Sequence, residues 1–442
     1  MDLTTGTNRH VFRRLTQSLL LMMVLAFGFR VSGMLILRTY HFSTVKAPFS
    51  TTPPEFSFGC ETGSIAASLA RGEGFSSPFG NPTGATAWIA PIYPALLASI
   101  FKVFGVYSTG SAIAVLSLNC LFSALTCIPI VSLGRRTVGC AAGLLAGWLW
   151  AIVPLFMVWP ISWVWDMSLS ALLLTVLLLS TLRVAQLTSR KSWVGYGILW
   201  AVAALTNPAL LSMLPFTAVW LLLKKHRRHQ DCWRPFVFTA ITFLVCILPW
   251  MVRNDLALGK PVFIRDNFWV EFHLGNYHLS NGMGWGGKHP TLNIRELNLF
   301  RTLGEVKYIE HYRTESLKFV RDYPAEFTAL TGKRFVTFWS ADFYHYRWWE
   351  TPLFVSLSFL GLLGGIVALA NRIEGAALFA NVLLCYPVVY YLTYSFPRYR
   401  HAIEPELLIL GSYFLCETAR DFHSRLAEGR VKGSAVEESI AV

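Results

Sequence analysis

At 442 residues, 54% of them hydrophobic and only 14% charged, with a mean hydropathy of +0.46, the chain is too apolar for an ordinary soluble domain. Its formal charge of +13 does not mark a nucleic-acid binder, because the excess cations lie in short connections between apolar stretches. Composition therefore selects an all-α polytopic membrane protein, whose spans must be helical because lipid offers an open backbone no partner.

Taken in chain order, apolar stretches near the bilayer-crossing length predict about ten transmembrane helices: 15–37, 111–133, 138–158, 167–184, 194–206, 208–223, 235–252, 352–370, 376–394 and 404–416. The first carries Arg30 and no small-residue cleavage pattern, so it reads as a retained helix. Basic residues cluster in the short loops at Arg9, Arg13 and Arg14, at Arg135 and Arg136, at Arg190 and Lys191, and in KKHRR from Lys224 to Arg228. By the positive-inside rule these mark the cytoplasmic face and put both termini inside. The same rule decides how to read 194–223: a single long helix would carry KKHRR outside, so a hairpin broken at Thr206, Asn207 and Pro208 is expected.

Two long segments then face outward, about 38–110 and 253–351, far longer than usual connections. They divide the chain into an N-terminal transmembrane module, 1–252, an extracytoplasmic region, 253–351, C-terminal helices, 352–418, and a polar cytoplasmic tail, 419–442. In the first loop, ETGSIAASLAR predicts a short amphipathic helix stopped by Gly72, and PIYPALLASIFKVFG has an apolar face suited to the bilayer. The second loop is nearly balanced, with thirteen Lys/Arg against eleven Asp/Glu from Arg253 to Glu350. Its stretch NIRELNLFRTLGEVKYIEHYRTESLKFVRDYP predicts two surface helices. The eight cysteines show no CxxC pairing and read as small apolar residues, with neither a zinc site nor a disulfide framework.

Candidate chemistry gathers at the outer ends. Glu61, at the start of the first-loop helix, is favoured there by the helix dipole and could accept a proton from a hydroxyl as a general base. Asp166, on the next outward-facing loop, directly precedes an apolar helix; its simplest role is an N-cap accepting near Ser168 or Leu169, but topology puts it on the same face as Glu61. Two such carboxylates could bind a divalent metal or divide acid, base and orienting roles. Arg253 and Asn254 end one helix, and Arg398, Arg400 and His401 begin the last, where cations beside a helix N-terminus suit a phosphate. His289, in GWGGKHP, and His345, in DFYHYRWW, are weaker candidates.

With these elements in order, the chain resembles the GT-C glycosyltransferases, among them bacterial membrane proteins similar to the aminoarabinose lipid A transferase and the protein O-mannosyltransferases. The stretches that carry the resemblance are the first-loop acid followed by ARGEGF and APIYPALLA, the WD before the fourth helix, LTNPALLSMLP, LPWMVRND with GKPVFIRDNF and LGN, and RYRHAIEP. It implies an enzyme that passes a sugar from a polyprenyl-phosphate or similar lipid to a lipid, protein or glycan acceptor at the outer face of the cytoplasmic membrane, inverting the anomeric carbon in a single displacement. Glu61 then resembles the first-loop base and Asp166 its acidic partner, while Arg253, Asn254, Arg398, Arg400, His401 and Tyr93, within APIYPALLA, resemble substrate-binding residues. Many relatives carry an Asp or a paired Asp-Glu in the first loop, whereas here Glu61 is followed by Thr62 and Gly63. Rival readings are a transporter, whose ionisable groups would lie near the midplane, a lipid-sugar ligase or polymerase, and a lipid-binding scaffold.

Overall fold

The computed structural model describes residues 18–42, 58–229, 233–283, 287–340 and 350–440, with side chains described to residue 426. His345, Cys232 and the arginines at 9, 13 and 14 lie outside the described residues. All named elements are helices; the one β feature among the described residues is a bridge between Ser76 and Ala85.

The chain opens with α1 (Leu19–Ile36), followed by the first-loop helix α2 (Cys60–Arg71) and α3 (Ile92–Phe104). Next come α4 (Thr109–Leu125), α5 (Cys127–Thr137), α6 (Cys140–Ile152), the single turn α7 (Val158–Ser162) and α8 (Met167–Val184). The expected helix 111–133 is thus a longer segment interrupted at Thr126, and 138–158 is a shorter helix followed by a 3₁₀ turn. The 167–184 expectation coincides with α8.

The broken hairpin is present as α9 (Arg190–Thr206), a 3₁₀ turn over Pro208–Met213 and α10 (Leu214–His226). Its return is fixed by Lys225 Nζ donating to the Leu187 carbonyl at 2.7 Å and by Arg228 donating to Ala185. Both arms therefore begin and end on one side. With Arg136 on the Leu182 carbonyl and Lys224 paired to Glu374 at 3.0 Å, the basic loops gather at one end of the bundle.

Helix α11 (Trp233–Leu258) runs six residues past the expected end at 252 and carries Arg253 and Asn254 within it. The long second loop is largely helical: α12 (Phe268–Gly275), α13 (Ile294–Asp322) and α14 (Pro324–Ser340). The two surface helices expected there are the two arms of α13, bent at Gly304, where φ is 74°. The chain ends with α15 (Glu350–Ala370), α16 (Ala376–Cys385), α17 (Val388–Leu392), a 3₁₀ turn over Pro397–Ile403 and α18 (Glu404–Ile440), which continues through the segment expected as a tail.

Among the described residues, six segments are long and apolar enough to cross a membrane: 19–36, 109–137, 167–184, 208–226, 233–258 and 350–370, with shorter apolar helices at 92–104, 140–152 and 376–392. This is a multi-pass architecture. Arg30, the one cation inside the first span, is fully buried and neither snorkels nor pairs with Asp166. Instead its guanidinium donates to the Trp150 and Ala151 carbonyls, at 2.7 and 3.1 Å, and to Ser123 Oγ at 2.9 Å. It thereby satisfies the carbonyls left open where α6 ends.

Candidate active site

At the end of the bundle opposite the basic loops, a cavity of about 330 Å³ opens between the membrane helices and the two long loops. Glu61, Asp166 and Arg398, from three separate segments, all line it.

Gly59 helps make the first of these approaches. It starts α2 at φ 89°, a conformation costly for any residue with a Cβ, and an added Cβ would lie 3.3 Å from the Val164 carbonyl. The bare backbone thus lets the start of α2, and Glu61 with it, lie against the segment leading to Asp166. Glu61 is almost wholly buried. Its Oε1 is 3.1 Å from His289 Nε2, and His289 Nδ1 accepts the Thr291 N–H at 3.2 Å, which leaves Nε2–H as the donor to the carboxylate. Among the described residues Oε2 makes no hydrogen bond. Burial acts to raise the Glu61 pKa, but His289, with help from its own backbone N–H and the Cys60 thiol, holds the group below its ordinary value.

Asp166 precedes α8 but does not cap it with its side chain. Its Oδ2 accepts from Ser170 Oγ at 2.8 Å, and Ser170 in turn accepts from Asn207 Nδ2 at 3.3 Å. The hairpin break that the sequence shows as TNP therefore delivers an amide to the acid. Burial pushes Asp166 up to about 6, against the pull of Ser170, Arg265 and Arg398.

Arg398 is buried in a cage of aromatic faces, with its guanidinium carbon 4.6 Å from the Phe396 ring centre, 4.8 Å from Trp165, 5.1 Å from Trp163 and 5.2 Å from Tyr399. Cation–π contact of this kind supports a desolvated guanidinium. Burial opposes its charge, but Tyr399, Tyr394 and Glu61 favour it more strongly, and the pKa stays above the usual value. Its Nε has no hydrogen-bond partner among the described residues. A fixed cation with an unspent donor suits an anion entering the cavity.

The remaining expected binding residues stand elsewhere, each for a visible reason. Arg253 donates to the Thr86 and Phe75 carbonyls and stacks on Phe75 and Trp250, so it ties the first loop to α11. Asn254 is buried and donates to the Val262 carbonyl at 3.2 Å. Arg400 packs over the Phe354 ring, donates to Ser358 and pairs with Glu404. His401 lies 2.7 Å from Glu404 and stacks on Trp150. Tyr93 donates to Asn119 at 2.9 Å, behind the wall that bears Asp166. None of these five lines the cavity.

Several cavity residues escaped the sequence reading: Arg265, Glu271, Asn207 and the tyrosines 390, 394 and 399. His289, read there as a weaker candidate, is the group that touches Glu61. The tyrosines had a legible signal, since Tyr386, Tyr390 and Tyr394 recur at four-residue spacing. Glu271 had none, because the helix that presents it, α12, was not foreseen. That helix closes on the membrane domain at Gly275, where any Cβ would collide with the Thr393 carbonyl.

Among the described residues, no three His, Cys, Asp or Glu side chains gather as a metal cage. Glu61 Oε1 faces His289 and Asp166 Oδ2 accepts from Ser170.

The architecture has counterparts. Residues 89–252 match the family described as Dolichyl-phosphate-mannose-protein mannosyltransferase. The archaeal oligosaccharyltransferase AglB of Archaeoglobus fulgidus, solved with an inhibitory peptide and a dolichol-phosphate, superposes with a TM-score of 0.50 at 14% identity, over 93% of this chain and 52% of that one. The two chains share a fold. ArnT from Cupriavidus metallidurans, solved bound to undecaprenyl phosphate, is similar at a TM-score of 0.39 and 14% identity, over 89% of this chain and 78% of that one. The chain spans about half the length of the archaeal enzyme. None of the curated protein sequences is a match to it.

Proposed function

We propose that the chain is an integral-membrane glycosyltransferase that moves a sugar from a polyprenyl-phosphate-type lipid to an acceptor hydroxyl at the extracytoplasmic face. The observation that carries this reading is the convergence, in one cavity, of a buried carboxylate with an open oxygen and a buried arginine with an open donor. The family matched over 89–252 and the shared fold support the class of reaction.

In this reading Glu61 takes the proton of the acceptor hydroxyl as its oxygen attacks the anomeric carbon. The bond from that carbon to the phosphate oxygen breaks, and its electron pair leaves with the phosphate. Arg398, with Arg265 beside it on the cavity wall, meets the charge that grows there; donors placed in advance where charge develops are among the most effective catalytic devices. His289 fixes the Glu61 carboxylate and leaves Oε2 for the acceptor. A single displacement inverts the carbon. The low pKa of Glu61 keeps it ionised and ready as a base, although a base of lower pKa is intrinsically weaker.

The basic end of the bundle then faces the cytoplasm, and the cavity opens on the opposite face of the cytoplasmic membrane. Membranes containing the chain, incubated with isotopically labelled polyprenyl-phosphate sugars, are expected to yield labelled lipid, protein or glycan detectable by mass spectrometry. Vectorial uptake of a solute, without any transfer product, would replace this reading with a transporter.

A further inference from the structure

A second cavity, of about 310 Å³, lies among the membrane helices and shares no residue with the first. Helices α9, α10 and α11 surround it, and its walls are rings and aliphatic chains, among them Trp193, Trp200, Leu214, Leu221, Phe236 and Phe243. The hydroxyls in those walls are already placed: Tyr196 meets Thr181 at 2.6 Å, Thr239 donates to the Trp193 carbonyl at 3.2 Å, and Thr217 accepts from Asn381 at 3.0 Å. The gap follows from how the hairpin arms are held. Helices α9 and α11 close on each other at Gly197, where an added Cβ would lie 2.7 Å from the Thr239 carbonyl, while Asn381 ties α10 to α16 through the Met213 carbonyl and Thr217.

Helix geometry gives its depth. The lining residues span Trp193 to Trp200 in α9, Leu214 to Leu221 in α10 and Phe236 to Leu244 in α11, each run starting within about one turn of that helix's basic end. At about 1.5 Å per residue none stands more than about 17 Å from that end. The hydrocarbon core is about 30 Å thick, so the gap lies mainly in the leaflet on the basic side, away from Glu61 and Arg398.

The mouth is cationic. From Met167 to Val252 the sequence carries eight Lys/Arg and a single acid, Asp231. Lys225 Nζ stands 5.5 Å from the Trp193 ring centre and the Arg190 guanidinium 5.4 Å from that of Phe238, so one cation marks the α9–α10 seam and another the α9–α11 seam. Lys225 is engaged by the Leu187 carbonyl and Lys224 by Glu374. Arg190, Lys191 and Arg227 are exposed, and none has an acidic partner among the described residues.

Together these features select an occupant. An alkyl chain entering the gap leaves one hydrocarbon for another, so the walls supply fit but little driving force. Selectivity then comes from the headgroup, and each Lys or Arg near the membrane surface favours an anionic lipid by about fivefold. A neutral lipid leaves the cations unanswered, and a soluble anion leaves the gap unfilled. We propose that the gap and its basic mouth bind an anionic phospholipid of the cytoplasmic leaflet, with one acyl chain between α9, α10 and α11 and the phosphate at the mouth. The site stands whether or not the chain transfers a sugar.

The test uses the full chain purified in detergent, with dioleoyl phosphatidylglycerol, dioleoyl phosphatidylcholine and undecaprenyl phosphate as probes, followed by native mass spectrometry. Phosphatidylglycerol is expected to bind the wild type at least tenfold more tightly than phosphatidylcholine. Arg190→Gln with Arg227→Gln, both at exposed positions, should cut that preference below threefold, and Arg190→Lys with Arg227→Lys should keep it. Ala240→Trp, which fills the gap from its exposed rim and leaves the packed interior alone, should weaken phosphatidylglycerol at least fivefold, with a melting temperature near wild type showing that the variant is folded. Equal binding of the two phospholipids, a preference unmoved by the double glutamine variant, or a phosphatidylglycerol affinity unmoved by Ala240→Trp would overturn the proposal. Displacement of phosphatidylglycerol by undecaprenyl phosphate, with undecaprenyl phosphate binding lost in Ala240→Trp, would also overturn it and give the gap to a polyprenyl chain.

Discussion

Two buried glutamates, Glu61 and Glu305, show how differently the fold treats the same side chain. Glu305 gives Oε1 to the Ala87 N–H at 2.6 Å and Oε2 to the Thr86 hydroxyl, and it shares a hydrogen bond with Asp266. Every part of it is engaged in holding the first loop to the second. Burial and the neighbouring Asp266 push it well above the usual carboxylate range, so it is held as an acid. Glu61 has one oxygen engaged and one open to a cavity, and His289 holds it ionised. The difference teaches that burial alone does not mark a site; a buried charge with unused bonding capacity at a cavity wall does.

The largest expected effect lies on the Glu61 side. Glu61→Gln keeps shape and burial but removes the base, and loss of one positioned base costs about 10²- to 10⁴-fold in rate. A thermal unfolding curve close to wild type, with transfer nearly gone, sharpens the contrast; wild-type turnover by this variant breaks it. Arg398 comes next. Replacing it with alanine removes charge-assisted hydrogen bonds worth about 1.5–3 kcal/mol, or roughly 10- to 150-fold in affinity for a polyprenyl phosphate. Lysine should restore little, because its compact ammonium lacks the flat guanidinium that four rings hold. Titration of undecaprenyl phosphate against each variant measures both.

The Glu305 side predicts an effect on stability, with a definite sign. Asp266 is pushed up to about 6 by burial, and Glu305 is raised further, so folding retains protons that the unfolded chain releases above the ordinary carboxylate pKa of about 4. Their stabilising contribution is complete below that pH and is lost as pH rises through the folded values. Glu305→Gln removes one titrating group and should flatten the decline in melting temperature between about pH 4 and 7. An unchanged slope would detach the acid pair from loop stability. The smallest effect is expected at Arg400, two residues from Arg398: Arg400→Met should lower the melting temperature but leave polyprenyl-phosphate affinity within twofold, about 0.4 kcal/mol.

That last pair also shows where sequence stops being informative. RYRH reads as one cationic cluster, but on a 3₁₀ turn residues two apart point to different sides. Arg398 enters the aromatic cage at the cavity, while Glu404, placed at the start of α18, collects Arg400 and His401. The membrane helices were legible because lipid demands long apolar runs, as in Met167–Val184. The first-loop helix was legible because small residues end at Gly72, whose φ of 83° closes it. Glu271, Arg265 and the His289 contact were not, because they depend on how the two loops fold over each other, and that is set by distant pairs such as Glu305 with Thr86 and Gly275 with Thr393.

The central claim is that a phosphate-linked saccharide enters the cavity bounded by Glu61, Asp166 and Arg398. A photoactivatable polyprenyl-phosphate sugar, crosslinked in native membranes and mapped by peptide mass spectrometry, tests it most directly. The account predicts label in the segments 165–167 and 390–399, suppressed by excess unlabelled donor and weakened in Arg398→Ala. Specific label confined to the basic end of the bundle, around 183–191 and 224–228, would contradict it.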